Sequence, residues 1–469
     1  MKAICLLLLA TLSACKEIPV KVSGTEKAIA TATETYPNNG DYIVQVRDQG
    51  DTEWKTLFTH NAVTKKYSTG QLGNAGFVIL DSDFARPIEV KVTKVSGTTA
   101  NARIRPLSKG IISTLTGNQL QFTLNAPVKI SVEFNGDIMN NLFIFANPPE
   151  QNRPNPGDPG VIYFAPGIHN AGTINVSSGQ TVYIADGALV YGHIWSGNAT
   201  NVTIRGRGIL DGAKLEHNPG LTRPWLVGLT NGSNVTIEGI VMRDAPMWTT
   251  VLRDVDGASI RNVKQICYNE NSDGFDIVQS KNVIIEDVFV RNHDDNFSAK
   301  IHTGTAATNI TLKNSTLWAD RAHNMLIGPE AAGGTFDQIR FDNIDVLENA
   351  QDDNVFPGVM AIMAADGGIY KNIEWNNIRI EDFTAGKVFC VQYSNAYSSL
   401  GYGLKVQNIR FDNITYNGTH ASQSKLLGFD ASRNIDTVQI SNYKINGTPV
   451  TGVSSGNMQV NSYVQHLSF

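Results

Sequence analysis

A short motif that opens on asparagine and then alternates apolar with polar residues recurs through much of this chain, and few folds accommodate such a pattern. Asn201-Val202-Thr203-Ile204, Asn234-Val235-Thr236-Ile237, Asn282-Val283-Ile284-Ile285, Asn309-Ile310-Thr311-Leu312, Asn372-Ile373-Glu374-Trp375 and Asn408-Ile409-Arg410-Phe411 follow one another at intervals of about two to three dozen residues or a multiple of that. Most copies run on into a second short alternating strand, as in Glu286-Asp287-Val288-Phe289-Val290 and Asp412-Asn413-Ile414-Thr415-Tyr416. Imperfect copies at Ser259–Val263, Gln338–Phe341 and Val438–Ser441 fill the gaps. Self-similarity at this period, without helical periodicity, is the signature of a parallel β-helix. Its rungs stack at about 4.8 Å, so equivalent positions in successive coils form ladders. The recurring asparagine suits the turn, because its side chain satisfies backbone groups and its backbone tolerates the left-handed conformation.

Ahead of the repeat the pattern is different. Short alternating stretches such as Asp41–Val46, Ile88–Val92 and Leu120–Leu124 are separated by Gly, Asn and Asp turns, which is how an antiparallel β-sandwich reads. A strap rich in proline, asparagine and glycine, from Asn147 through Gly160, separates the two regions. The prediction is therefore an all-β chain: an antiparallel β-sandwich over 16–150, followed by a right-handed parallel β-helix over 151–469. A length of 469 residues is enough for both cores. The sandwich carries no cluster of carboxylates or histidines, and its expected role is support or sugar binding.

The N-terminus, Met1-Lys2 followed by an apolar run from Ala3 to Leu12 and then Ser13-Ala14-Cys15, reads as an export signal. It is too short for a membrane span, which needs roughly 20 apolar residues. Leu12-Ser13-Ala14-Cys15 resembles a bacterial lipobox, which implies a signal over 1–15 that ends at a lipid-modified Cys15. The expectation is an exported lipoprotein, periplasmic or at the cell surface, whose membrane contact is that anchor alone. Only Cys267 and Cys390 then remain in the folded body, so stability does not rest on a disulfide framework. The two read best as separate buried thiols. A formal charge of −5 and a pI near 6.0 give no basic surplus for phosphates and argue against nucleic acid as a partner. Nothing in the sequence indicates an oligomeric state.

Within the repeat, two acidic knots stand a little over twenty residues apart: Asn271-Ser272-Asp273 and His293-Asp294-Asp295. That interval is one coil, so stacking brings Asp273 beside Asp294 and Asp295. Three close carboxylates repel as anions, which raises at least one pKa and favours a protonated acid near neutral pH. Glycoside hydrolysis needs one protonated carboxyl for the leaving oxygen and one carboxylate to activate water. An acid and a base about 6.5–9.5 Å apart admit that water between them, and the anomeric configuration inverts. Lys300 follows the aspartate pair, His323-Asn324 arrives one coil later, and Trp248 lies one coil earlier. Asn271, Trp248, Lys300, His323 and Asn324 are accordingly the candidate substrate-binding residues. His323 is expected to orient the acid or bind hydroxyls, and Trp248 to stack on a sugar ring.

At these residues the chain resembles the clan of inverting β-helix glycoside hydrolases, which comprises family 28, the polygalacturonases, and family 49, the dextranases and isopullulanases. Asn271-Ser272-Asp273 is similar to the polygalacturonase Asn-Thr-Asp motif, Asp294-Asp295 to the Asp-Asp motif, and Asp295 through Lys300 to its bacterial continuation. His323 stands where a Gly-His-Gly motif is expected, flanked here by Ala322 and Asn324, and Gly206–Gly212 resembles the clan's early-coil signature. The N-terminal half, through Ala102–Ser108, Ile130–Phe134, Phe145–Pro148 and Val161–Gly167, is similar to the sandwich-to-helix region of family 49. The resemblance implies Asp294 as general acid, Asp273 with Asp295 as activators of water, and neither metal nor cofactor. It does not extend to the Arg-Ile-Lys motif with which polygalacturonases grip a substrate carboxylate, since the corresponding region reads Gly358-Val359-Met360-Ala361-Ile362-Met363.

The expected function is inverting hydrolysis of α-glycosidic bonds in a polysaccharide or oligosaccharide. Two other functions fit an acidic β-helix: a Ca²⁺-dependent polysaccharide lyase, and a carbohydrate-binding or adhesin module without catalysis.

Overall fold

A computed structural model describes residues 36–353 and 358–469; the proposed signal and Cys15 lie outside them. The winding of the C-terminal region follows from its asparagines. Asn201, Asn234, Asn282, Asn309, Asn372 and Asn408 all take the left-handed backbone, with φ between 53° and 58°, and so turn the chain from one strand to the next. Their side chains join coil to coil: Asn309 Nδ2 donates to Asn282 Oδ1 at 2.7 Å, and Asn408 Nδ2 to Asn372 Oδ1 at 2.6 Å. A left-handed residue with a Cβ costs roughly 1–2 kcal/mol, which asparagine recovers through the ladder. Asn309→Ala is expected to destabilise the fold by about 1–2 kcal/mol, and Asn309→Gly by less, as read from the urea midpoint.

The strands between these turns stack in register as a 30-stranded sheet running from Val161–Phe164 to Val464–Ser468, parallel throughout except for one terminal hairpin. Inside the coil, equivalent apolar positions stack on one another. Phe341, Trp375 and Phe411 form an almost parallel stack, with centroids 5.5 and 4.9 Å apart. Cys267 and Cys390 are buried and unpaired.

The sandwich consists of two five-stranded sheets. Pairing is antiparallel except where Leu142–Asn147 runs parallel to Leu72–Asp81. Its aromatic face packs on the flank of the β-helix, where Phe143 and Phe145 meet Phe289, and Phe143 meets Trp318. This contact explains strands such as Phe289–Asn292, which are buried on both faces. Buried arginines hold the two units together. Arg291 pairs with Asp320 at 2.9 Å and donates to Ile138 O and Asn141 Oδ1 of the sandwich. Arg105, from the sandwich, pairs with Glu381 at 2.7 Å.

Candidate active site

Coil stacking determines what faces what. Val227, Thr250, Phe275 and Phe297 are successive partners, and Ser298 pairs with Leu326 in the next coil. The residues two positions ahead of this rung are Trp225, Trp248, Asp273 and Asp295, and His323 continues the same column. Backbone bonds tie the column together: Thr249 N–H donates to Asp273 O, Gly274 N–H to Asp295 O, and Asn296 N–H to His323 O. The two acidic knots are therefore neighbours. Carboxylate oxygens of Asp273, Asp294 and Asp295 all lie within 4.8 Å of one another.

Each carboxylate is held differently. Asp294 Oδ1 accepts a backbone bond from Asp295 N–H at 3.1 Å. Burial pushes Asp294 well above the usual carboxylate range, and repulsion from Asp273 and Asp295 adds to it. It is the group that keeps a proton. Asp295 Oδ1 accepts from both His323 N–H, at 3.1 Å, and His323 Nδ1, at 2.7 Å. The bonds that His323 makes here hold Asp295, where the expectation was a hold on the acid or on sugar hydroxyls.

Asp273 accepts from Lys300 Nζ at 3.0 Å, and the same ammonium lies 2.7 Å from Asp276 Oδ1. Burial opposes the charge on Lys300, but Asp273 and Asp276 together hold its pKa well above the ordinary lysine value. Two carboxylates and one ammonium, all ionised, would bury a net negative charge. A proton resolves this, and Asp276 is the better holder: Lys300 pulls both carboxyls back, but burial pushes Asp276 well above its usual range, whereas Asp273 rises to about 7. Asp273 is left as the carboxylate that ionises first.

The cleft around this cluster has a volume of about 170 Å³. Asn271 lines it, exposed and in the left-handed conformation, with Oδ1 accepting from Arg223 at 2.9 Å. Trp248 also lines it, but Lys300 Nζ lies 3.9 Å from its ring centroid and Trp225 stacks on it at 5.8 Å. The cation and the second indole cover ring surface that was expected to carry a sugar. Asn324 does not reach the cleft. It is fully buried, its Nδ2 donating to Asn296 Oδ1 and Glu348 O in an interior ladder, because its place in the rung points inward.

Several residues in the cleft or buried behind it were not anticipated. Asp276 sits in Phe275–Val278, where strand alternation turns it outward between the core residues Phe275 and Ile277; that phase was the available signal. Arg321, Glu330 and Tyr397 come from turns whose paths carry no local signature. Leu326, Ala361 and Met363 form a small apolar cluster of their own, outside the coil core that contains Met325, Ile327, Met360 and Ile362. Leu326 and Met363 also line the cleft, so an apolar shelf stands in the strand that lacks the cationic motif.

A family model described as Glycosyl hydrolases family 28 matches residues 171–463. Exopolygalacturonase A of Aspergillus niger is 28% identical over 147 residues, which cover 29% of this chain and 32% of that protein. Probable exopolygalacturonase B of Aspergillus terreus is 24% identical over 272 residues, 50% of this chain and 58% of that protein. The match thus spans about a third to somewhat over half the length of these curated relatives. Among solved structures, Dex49A from Penicillium minioluteum superposes with a TM-score of 0.71 at 16% identity, covering 92% of this chain and 95% of that one. A hyperthermoactive exopolygalacturonase from Thermotoga maritima gives 0.52 at 15% identity, covering 64% and 82%. These likenesses agree with the fold of sandwich and parallel β-helix, and on the match across residues 171–463 the chain belongs to glycosyl hydrolases family 28.

Proposed function

We propose that the protein hydrolyses α-glycosidic bonds of a polysaccharide or oligosaccharide with inversion. The observation that carries this reading is a buried Asp294 within 4.8 Å of two carboxylates, one bound by Lys300 and the other by His323. Asp294 gives its proton to the glycosidic oxygen, which departs with the electrons of the broken C–O bond. A water held by Asp273 and Asp295 bonds to the anomeric carbon, and its proton passes to one of them. The nearest oxygens are closer than the interval of about 6.5–9.5 Å usual between inverting carboxyl groups, so the inverting outcome rests on family membership and not on spacing.

For the sugar, the apolar shelf of Leu326 and Met363, together with the carboxylate of Glu330, disfavours a second negative charge at the cut. A neutral sugar fits that shelf better than a uronate. The decisive experiment is a screen of dextran, pullulan and polygalacturonate, followed by ¹H NMR of the first product anomer. Hydrolysis with an inverted anomer is expected, and a retained anomer would overturn the mechanism.

Three carboxylates this close can also share a cation, which gives the lyase reading its one structural support. Chelator is expected to leave activity unchanged and the products to show no ultraviolet absorbance of an unsaturated sugar. Loss of activity on chelation, restored by Ca²⁺, would favour the lyase.

A further inference from the structure

A hairpin of the sandwich comes close to the catalytic cleft. Its strands, His60–Lys65 and Leu72–Asp81, pair in register, and the tip is closed by Lys66 N–H to Gln71 O and Gly70 N–H to Lys66 O, both 2.8 Å. At that tip Tyr67 is 36% exposed. The Arg321 guanidinium lies 5.4 Å from its ring centroid, and the buried His293 ring lies 6.5 Å away. Arg321 lines the cleft beside Asp294, and His293 precedes Asp294 in the chain. An aromatic ring from the N-terminal unit therefore stands near Arg321 of the cleft wall and near the neighbour of the acid in the chain.

The hairpin is held there from behind. Thr64 Oγ1 donates to Met139 O at 2.7 Å, and Gly73 packs so close to Met139 O that a Cβ would stand 2.4 Å from it. The same loop is gripped by Arg291 through Ile138 O, and Arg291 pairs with Asp320, the residue before Arg321. The support of the hairpin and the support of Arg321 are thus one network. A clasp between domains would bury its aromatic residue, as Phe143 and Phe145 are buried at the main seam. Tyr67 instead keeps over a third of its surface open while its ring stands near Arg321 of the cleft wall.

We propose that Tyr67 is a substrate-positioning residue: it supplies a sugar-stacking platform, backed by Arg321, for the part of the glycan that extends past Asp294 on the His323 side. This rests on the glycoside hydrolase reading above. It also gives the sandwich a share in substrate recognition, through amphipathic area that a tyrosine offers at little conformational cost.

The test uses the full chain and isomalto-oligosaccharides and oligogalacturonides of graded length. In whichever series the wild-type protein cleaves, Tyr67→Ala is expected to lower kcat/KM by about tenfold on the longer members. The loss should grow with chain length and appear in KM, and Tyr67→Trp should restore it. A loss equal at every length, accompanied by a lower Tm, would make the hairpin a clasp only, and no loss at any length would also overturn the proposal. The inactive Asp294→Asn protein separates this failure from that of the parent reading. If no series is cleaved, its calorimetric affinity for the longest members of both series, with and without Tyr67→Ala, still reads the platform. Equal affinities, or no binding, would overturn it.

Discussion

Replacing Asp294 by Asn is expected to lower kcat by about 10²–10⁴-fold while the protein remains folded. Asn keeps an oxygen for the Asp295 N–H bond, so the local backbone retains its partner. It has no proton to give the leaving group. The substitution should also stabilise the protein at higher pH, and the sign follows from the shift. Burial raises Asp294 above its unfolded value of 3.8, so its contribution is full below that value and is lost as pH rises through the folded pKa. The asparagine variant lacks that loss. Thermal melts should show its advantage over wild type growing from mildly acid to alkaline pH, and a variant that is both inactive and progressively less stable with pH would contradict this account of Asp294. Activity retained in Asp294→Asn would remove the acid role altogether.

The catalytic core could be read in the sequence because a β-helix converts sequence interval into distance. One coil separates Asp273 from Asp295, and one more reaches His323, so counting residues amounted to measuring adjacency. Interval alone does not say which way a side chain points. Asn324 follows His323 immediately, yet the next position in the rung faces the interior ladder. Trp248 lies in the right column, but ring stacking with Trp225 and the reach of Lys300 decide which parts of it remain free. Tyr67 was beyond the repeat's arithmetic, because it comes from another fold unit and its position depends on how Arg291 and the aromatic seam seat the sandwich. The antiparallel sandwich could be read from alternation, but the parallel pairing of Leu142–Asn147 with Leu72–Asp81 is a crossover that alternation does not encode.

The largest loss of stability is expected from Lys300→Met. The ammonium is 4% exposed and contacts two buried carboxyl groups, Asp273 at 3.0 Å and Asp276 at 2.7 Å, of which Asp273 is the one it balances in charge. Removing one partner of a buried pair leaves uncompensated charge and costs about 3–5 kcal/mol. Methionine matches the length of the stem, so packing against Trp248 is largely kept and the deficit reports electrostatics. Without Lys300 both aspartates lose the group that draws their pKa values down, and each rises further above 3.8. A carboxyl raised in the folded state gives its full stability below the unfolded value and loses it as pH climbs through the folded one. The deficit of Lys300→Met should therefore be small in acid and widen toward neutral and alkaline pH, in urea titrations run across that range. Activity should fall with it, because Asp273 would keep its proton and no longer accept one from water. A deficit independent of pH would mean that Lys300 acts by packing alone, and Asp273 would then need another source for the ionised state that its role in activating water requires.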